Sequence, residues 1–189
     1  MPKKLLYKCV IYAVSVYIGF IFSSCNSNSQ TPVMTQNDHQ QYLESISYAS
    51  ALEDTDISKR VERSNDEWRS ILSSGEYRIL RNQGTEMPYI NEYDGFYEEG
   101  VYLCRGCGNP LFHSDAKYNS RTGWPSFWKP IREGAVAERE DNSYFMTRTE
   151  TICARCDSHI GHVFDDGPEP TGLRYCMNSQ ALKFIPKKN

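Results

Sequence analysis

The sequence predicts a mainly β domain of two small antiparallel sheets with short N-terminal helices, stapled by a four-cysteine metal site. Three observations predict it. From Gly100 onward, short apolar or alternating runs sit between clusters of Gly, Pro, Asn and Asp, the texture of strands joined by loops. Ahead of them, two helix patterns fall between Ser64 and Gly84. Four of the seven cysteines form two Cys-x-x-Cys pairs far apart in the chain.

The N-terminus reads as an export signal. Lys3, Lys4 and Lys8 precede an apolar run of 14 residues from Cys9 to Phe22. A membrane-spanning helix needs roughly 17–25 such residues, whereas a secretory h-region is this short. The run ends in Phe22-Ser23-Ser24-Cys25, which resembles the lipobox of bacterial lipoproteins. That resemblance implies cleavage before Cys25, acylation of its sulfur, and an exported protein held on a membrane by lipid. Residues 1–24 are then a signal peptide and 25–60 a lipid-anchored tether. Asn26 to Gln41 offers almost nothing to bury and is expected to be flexible. Tyr42, Leu43, Ile46, Tyr48 and Leu52 suit either a short amphipathic helix or unstructured chain.

The folded domain is expected over 61–187. Ser64-Asn65-Asp66-Glu67 is a capping-box pattern, and Trp68, Ile71 and Leu72 follow at helical spacing. Gly75 ends that helix; a second runs from Glu76 to Asn82 and stops at Gly84. Strands are expected over Val101–Leu103, Leu111–Phe112, Tyr144–Thr149, His162–Phe164, Leu173–Asn178 and Leu182–Ile185. A net charge of −3 includes +3 from the first 24 residues, leaving −6 for the rest. An acidic chain without a basic run excludes a general nucleic-acid binder.

Cys104, Cys107, Cys153 and Cys156 are the candidate metal ligands. Each pair presents two thiolates from one tight turn, and two turns complete a tetrahedron around one zinc ion. Gly106 and Gly108 suit the first turn. The 45 residues between the pairs make the metal a staple between distant parts of the chain. Four thiolates leave no open coordination position, so the role is structural. Two disulfides are the alternative in an oxidising compartment, but a bond inside a Cys-x-x-Cys turn is usually labile.

Cys176 is the thiol left over. On a strand it shares a face with Arg174 and Asn178, and a guanidinium beside a thiol favours the nucleophilic thiolate. A buried structural cysteine is the equally weighted alternative. His159 and His162, three residues apart after the second pair, fit acid–base groups better than zinc ligands, since four ligands within ten residues crowd one metal. Gly123-Trp124-Pro125-Ser126-Phe127-Trp128 is an aromatic turn that suits core packing in part and a rigid apolar wall in part.

Cys-x-x-Cys, GWPSF, Cys-x-x-Cys, HIGHVF and RYCMNS in this order closely resemble the peptide-methionine (R)-S-oxide reductases, the B-type methionine sulfoxide reductases, from about Val61 to Pro186. The resemblance implies reduction of the R epimer of methionine sulfoxide in oxidised proteins, and hence protein repair. It implies that Cys176 is the nucleophile, with His159, His162, Asp166, Arg174 and Asn178 around it. Trp124, with Phe127 beside it, receives the substrate methyl group, and the paired cysteines hold zinc. Many members carry Cys immediately before GWPSF, where it resolves the oxidised nucleophile; here that residue is Thr122. Recycling is therefore expected to need an external thioredoxin-like thiol. A monomer is expected. Two rivals are a zinc-ribbon binding module and a thiol oxidoreductase working through a Cys-x-x-Cys pair.

Overall fold

The computed structural model describes residues 33–188 except positions 57, 144 and 145. The signal segment, Cys25 and the start of the tether lie outside the described residues. Among the described residues, nine strands form two antiparallel sheets: β1 (Gly100–Cys104), β2 (Pro110–His113), β3 (Lys117–Tyr118), β4 (Ser126–Phe127), β5 (Val136–Asp141), β6 (Arg148–Cys153), β7 (His159–Phe164), β8 (Arg174–Met177) and β9 (Leu182–Pro186). One sheet has the order β2-β1-β9 and the other β3-β4-β8-β7-β6-β5. The predicted class holds. β1, paired on both edges, is buried along its whole length, which explains its unbroken apolar reading.

Two strand expectations shift, and the first is β7, which starts at His159, ahead of the expected His162. The run expected from Tyr144 is β6, which starts at Arg148. β5 had no expectation at all: it is an edge strand whose four central residues, Ala137 to Glu140, are exposed, so no apolar alternation marks it.

Helix α3 (Asn65–Ile71) starts on the expected capping box, with Ser64 and Glu67 bonded reciprocally. α4 (Ser74–Asn82) begins earlier than expected, because Ser73 and Glu76 form another such box. Gly75 therefore lies in the first turn of α4 and is not the stop of α3. α4 ends where Gln83 takes a left-handed conformation at φ 52° and the Gly84 N–H bonds the Arg78 carbonyl. The main core buries Trp68, Tyr102, Phe112 and Phe127 almost completely.

The described part of the supposed tether is not flexible chain. It holds α1 (Gln36–Ser45) and α2 (Tyr48–Glu53), each opened by a capping box, Thr35 with Asp38 and Ser47 with Ser50. Leu43 and Ala51 are buried. Polarity misled here because these helices use hydrogen bonds as much as apolar area. Gln36 donates to the Leu72 carbonyl at 2.8 Å, and the Tyr42 hydroxyl donates to the Cys107 carbonyl at 3.2 Å. A ring nitrogen of His39 lies 2.8 Å from the Arg105 carbonyl. Downstream, Asp54 takes both arms of the Arg155 guanidinium at 2.7 and 2.6 Å, and the Val61 N–H bonds the Arg155 carbonyl. The segment thus straps both cysteine turns.

Candidate active site

The four paired cysteines converge. Their sulfurs lie within 4.8 Å of one another, with Cys104 to Cys156 and Cys107 to Cys153 each at 3.6 Å. A tetrahedral ion with bonds of about 2.3 Å sets sulfurs roughly 3.8 Å apart, while a disulfide needs about 2.05 Å. The spacing fits a metal and not disulfides. Both turns share one construction. The fifth residue turns left-handed, Gly108 at φ 75° and Asp157 at φ 54°, and its N–H bonds the carbonyl of the first cysteine. Gly106 has no such conformation, so of the two glycines only Gly108 is there for its backbone.

Cys176 lies elsewhere, on β8 in the middle of the six-stranded sheet. Register pairs it with Ser126 of β4 on one side and His162 of β7 on the other. Directly opposed residues share a face, so thiol, hydroxyl and imidazole sit side by side. The thiol opens on a cleft of about 110 Å³ lined by Thr85, Trp124, Arg148, His162, Phe164 and Asn178, among others. Trp124 is half-buried and held in place by its indole N–H, which donates to the Glu86 carbonyl at 3.2 Å.

His159 and His162 are three apart, and a regular strand would send them to opposite faces. A register irregularity opposite Thr151 and Ile152 absorbs the extra residue, and the rings meet at 5.3 Å between centroids. His162 Nε2 lies 2.8 Å from Asp141 Oδ2, which Arg148 also bonds at 2.7 Å. Burial lowers the His162 pKa, against the opposing pull of Asp141. Ser143, with help from His162 and Arg148, holds Asp141 well below the carboxylate range. His159 is buried, its Nδ1 2.6 Å from Glu150 Oε1, and its Nε2 has no protein partner.

The neighbours of Cys176 on its own strand are placed differently from the simple expectation. Arg174 is committed to Asp166, at 2.7 and 2.8 Å, with its plane 4.2 Å from the Phe164 ring. Burial pushes the Cys176 thiol up, and Thr122, Arg174 and Ser126 only partly oppose it. Arg174 therefore does not by itself hold a resting thiolate. Asn178 is buried, accepts from the Glu86 N–H at 3.0 Å and lines the cleft. Asp166 and Arg174 both lie outside the cleft lining.

Phe127 is corrected. It is fully buried, stacked on Phe112 at 4.4 Å, and belongs to the core. Ser126 and Phe127 are consecutive on β4, so when Ser126 faces Cys176 its neighbour must face away. Sequence reasoning missed Thr85, Glu86, Asp141, Arg148 and Glu150, polar residues of loops and outer strands that no motif announces. Glu150 lies between Thr149 and Thr151 in a mixed polar and apolar strand, so nothing in the sequence marked it as buried.

A family model described as the SelR domain matches residues 72–186. The peptide methionine sulfoxide reductase MsrB of Hahella chejuensis is 52% identical over 125 residues, covering 66% of this chain and 90% of that one. The protein of the same description from Thiobacillus denitrificans is 54% identical over 125 residues, 66% and 95% of the two chains. That from Methanosarcina mazei is 49% identical over 130 residues, 69% and 93%.

Proposed function

The chain belongs to the family of SelR-domain methionine sulfoxide reductases, and from that premise we propose that it reduces methionine-R-sulfoxide in oxidised proteins back to methionine, with Cys176 as nucleophile. The observation that carries this reading is that, among the described residues, one thiol lies outside the four-cysteine set, open to a cleft between Trp124 and His162. Trp124 receives the methyl group of the sulfoxide and leaves the S–O bond directed toward the imidazole.

The chemistry follows from the charges. Cys176 starts as a thiol because burial disfavours its anion, and His162 starts neutral because burial disfavours its cation. His162 takes the thiol proton and returns it to the sulfoxide oxygen as that oxygen leaves. Sulfur of Cys176 attacks the sulfoxide sulfur; the S–S bond so formed and the S–O bond to methionine then break as oxygen passes to Cys176, leaving methionine and a sulfenic acid. Two electrons pass from cysteine sulfur to methionine sulfur, and no net proton is consumed. Arg174, fixed by Asp166, and Asn178 hold the nucleophile in register. His159 supports His162 from behind.

Cys104, Cys107, Cys153 and Cys156 hold one structural zinc ion in this reading. Thiolate-only donors favour zinc, and a closed set leaves it no part in the reaction. Recycling needs an outside thiol. It attacks the sulfenic sulfur, water leaves, and a mixed disulfide forms for a second thiol to release. A thioredoxin-like protein outside the cytoplasm fits a chain exported as a lipoprotein through Cys25 and working as a monomer on the membrane surface.

The test is turnover of separate R and S epimers with dithiothreitol as reductant. Consumption of the R epimer alone, abolished by Cys176→Ser, is expected. Equal use of both epimers, or near-native turnover by the Ser variant, overturns the reading.

A further inference from the structure

Thr122 stands where many relatives carry a second thiol, and its surroundings give it a function of its own. Its Oγ1 lies 3.9 Å from Cys176 Sγ and 2.8 Å from Ser120 Oγ. Ser120 Oγ lies 2.7 Å from Ser126 Oγ, and the Ser126 hydroxyl is 3.2 Å from the Trp124 carbonyl oxygen. Sulfur, three hydroxyls and a carbonyl therefore form one run of four links, and Ser126, opposite Cys176 in the register, also bears on the sulfur directly. Ser126 is completely buried, so that hydroxyl has no water to fall back on.

We propose that Ser126, Ser120 and Thr122 form a reversible hydroxyl wire for Cys176, with Thr122 as the catalytic donor to its thiolate. Proton counting gives the two states. With Cys176 as thiol, S–H donates to Thr122, Thr122 to Ser120, Ser120 to Ser126, and Ser126 to the carbonyl. Four protons fill four links. When sulfur loses its proton, three protons remain, and the hydroxyls rotate: Ser126 donates to Ser120, Ser120 to Thr122, and Thr122 to the sulfur anion. Every hydroxyl stays bonded, and only the link to the Trp124 carbonyl is given up. No covalent bond changes along the run. The wire does not carry the proton away, because it ends on a carbonyl that is no base. That proton goes to solvent in a titration, and to the sulfoxide oxygen through His162 in turnover.

A hydrogen bond to an ionised acceptor is about twice as strong as a neutral one, so the reversed state favours the anion. The wire offsets part of the burial that disfavours it. Other ionisable groups around the sulfur are Arg174 on its own strand with Asp166 bonded to it, His162 on β7, Arg148 on β6 across the cleft, and Tyr118 on β3. None of these belongs to the wire, so removing a hydroxyl tests the wire alone.

The proposal rests on Cys176 being the reacting thiol, and its experiment needs no sulfoxide turnover. The rate of Cys176 alkylation by iodoacetamide is followed against pH by mass spectrometry in the metal-loaded protein. Thr122→Val is expected to move the profile up by about one pH unit, a tenfold loss of thiolate at neutral pH, or about 1.4 kcal/mol. Thr122→Ser keeps the hydroxyl and is expected to keep the wild-type profile. Ser120→Ala, which leaves the donor but cuts its support, is expected to fall between. An unmoved profile in Thr122→Val overturns the proposal. So does a Thr122→Ser profile shifted as far as that of Val, which would assign the effect to packing of the methyl group.

Discussion

Glu150 is the residue whose removal should do the most damage per atom changed. It is 1% exposed, and its carboxylate takes His159 Nδ1 at 2.6 Å, Gln83 Nε2 at 3.1 Å and a two-armed Arg139. Burial alone would raise its pKa, but bonds to His159 and Arg139 outweigh that and bring it from 4.5 to about 2. At about 1.4 kcal/mol per pH unit this corresponds to about 3 kcal/mol of stability at neutral pH. Glu150→Gln keeps the shape but turns an amide N–H toward groups that are themselves donors. The sign is fixed by the direction of the shift. A carboxylate lowered on folding contributes fully above its unfolded value, so the contribution is complete above pH 4.5 and disappears as pH falls toward 2. The assay is urea denaturation of metal-loaded wild type and variant from about pH 7 to about pH 3, reading only their difference. A difference of about 3 kcal/mol at neutral pH that shrinks below about pH 4.5 is expected. A difference under about 1 kcal/mol at neutral pH, or one constant down to about pH 3, refutes the reasoning.

Three further outcomes can be checked. Cys104→Ser or Cys153→Ser should lose both metal and a cooperative thermal transition, because metal binding and folding are coupled; one metal per chain with unchanged melting contradicts the site. Thr122→Cys should form an internal disulfide with Cys176 after one equivalent of sulfoxide, since the side-chain atoms already stand 3.9 Å apart; a dimedone-reactive sulfenic acid persisting on intact-mass analysis contradicts that placement. Asp54→Ala leaves the buried Arg155 guanidinium with the Asp56 carbonyl as its remaining bond to the strap and should show as faster metal loss to a chelator with turnover of the R epimer retained; an unchanged release rate would show that the strap does not guard the metal.

What could be read from the sequence was whatever repeats a local chemical requirement. Two thiolates from one turn demand a short spacing, so the paired cysteines announced themselves. The α3 cap and strands β1, β2 and β9 were visible because capping and burial act on neighbouring residues. What could not be read depended on partners far along the chain. α1 and α2 had capping boxes in plain view, but their apolar content is slight and their attachment runs through backbone carbonyls of the cysteine turns. β3 and β4 have two residues each, too few for a period. The aromatic turn was split between cleft and core by strand alternation: once Ser126 is known to oppose Cys176, Phe127 has to leave the site, but that pairing is a property of the sheet.

The four-cysteine cluster and Cys176 lie in different parts of the fold but are not independent. Cys104 ends β1 of the three-stranded sheet, while Cys153 ends β6 of the six-stranded one, so an ion on these four sulfurs joins the two sheets. The second cysteine turn is also the loop of the β6–β7 hairpin, closed by the Cys153 N–H on the Ser158 carbonyl at 2.9 Å. His159, the first residue of β7, follows at once. Strand register alternates side chains between faces, so a slip of one residue along β7 would carry His162 to the wrong side of the sheet from Cys176. The hairpin loop is therefore where that alignment is set, and a metal that fixes the loop fixes the distance between imidazole and thiol. Loss of the ion should accordingly lower turnover even in molecules that remain folded, a consequence that stapling alone does not predict.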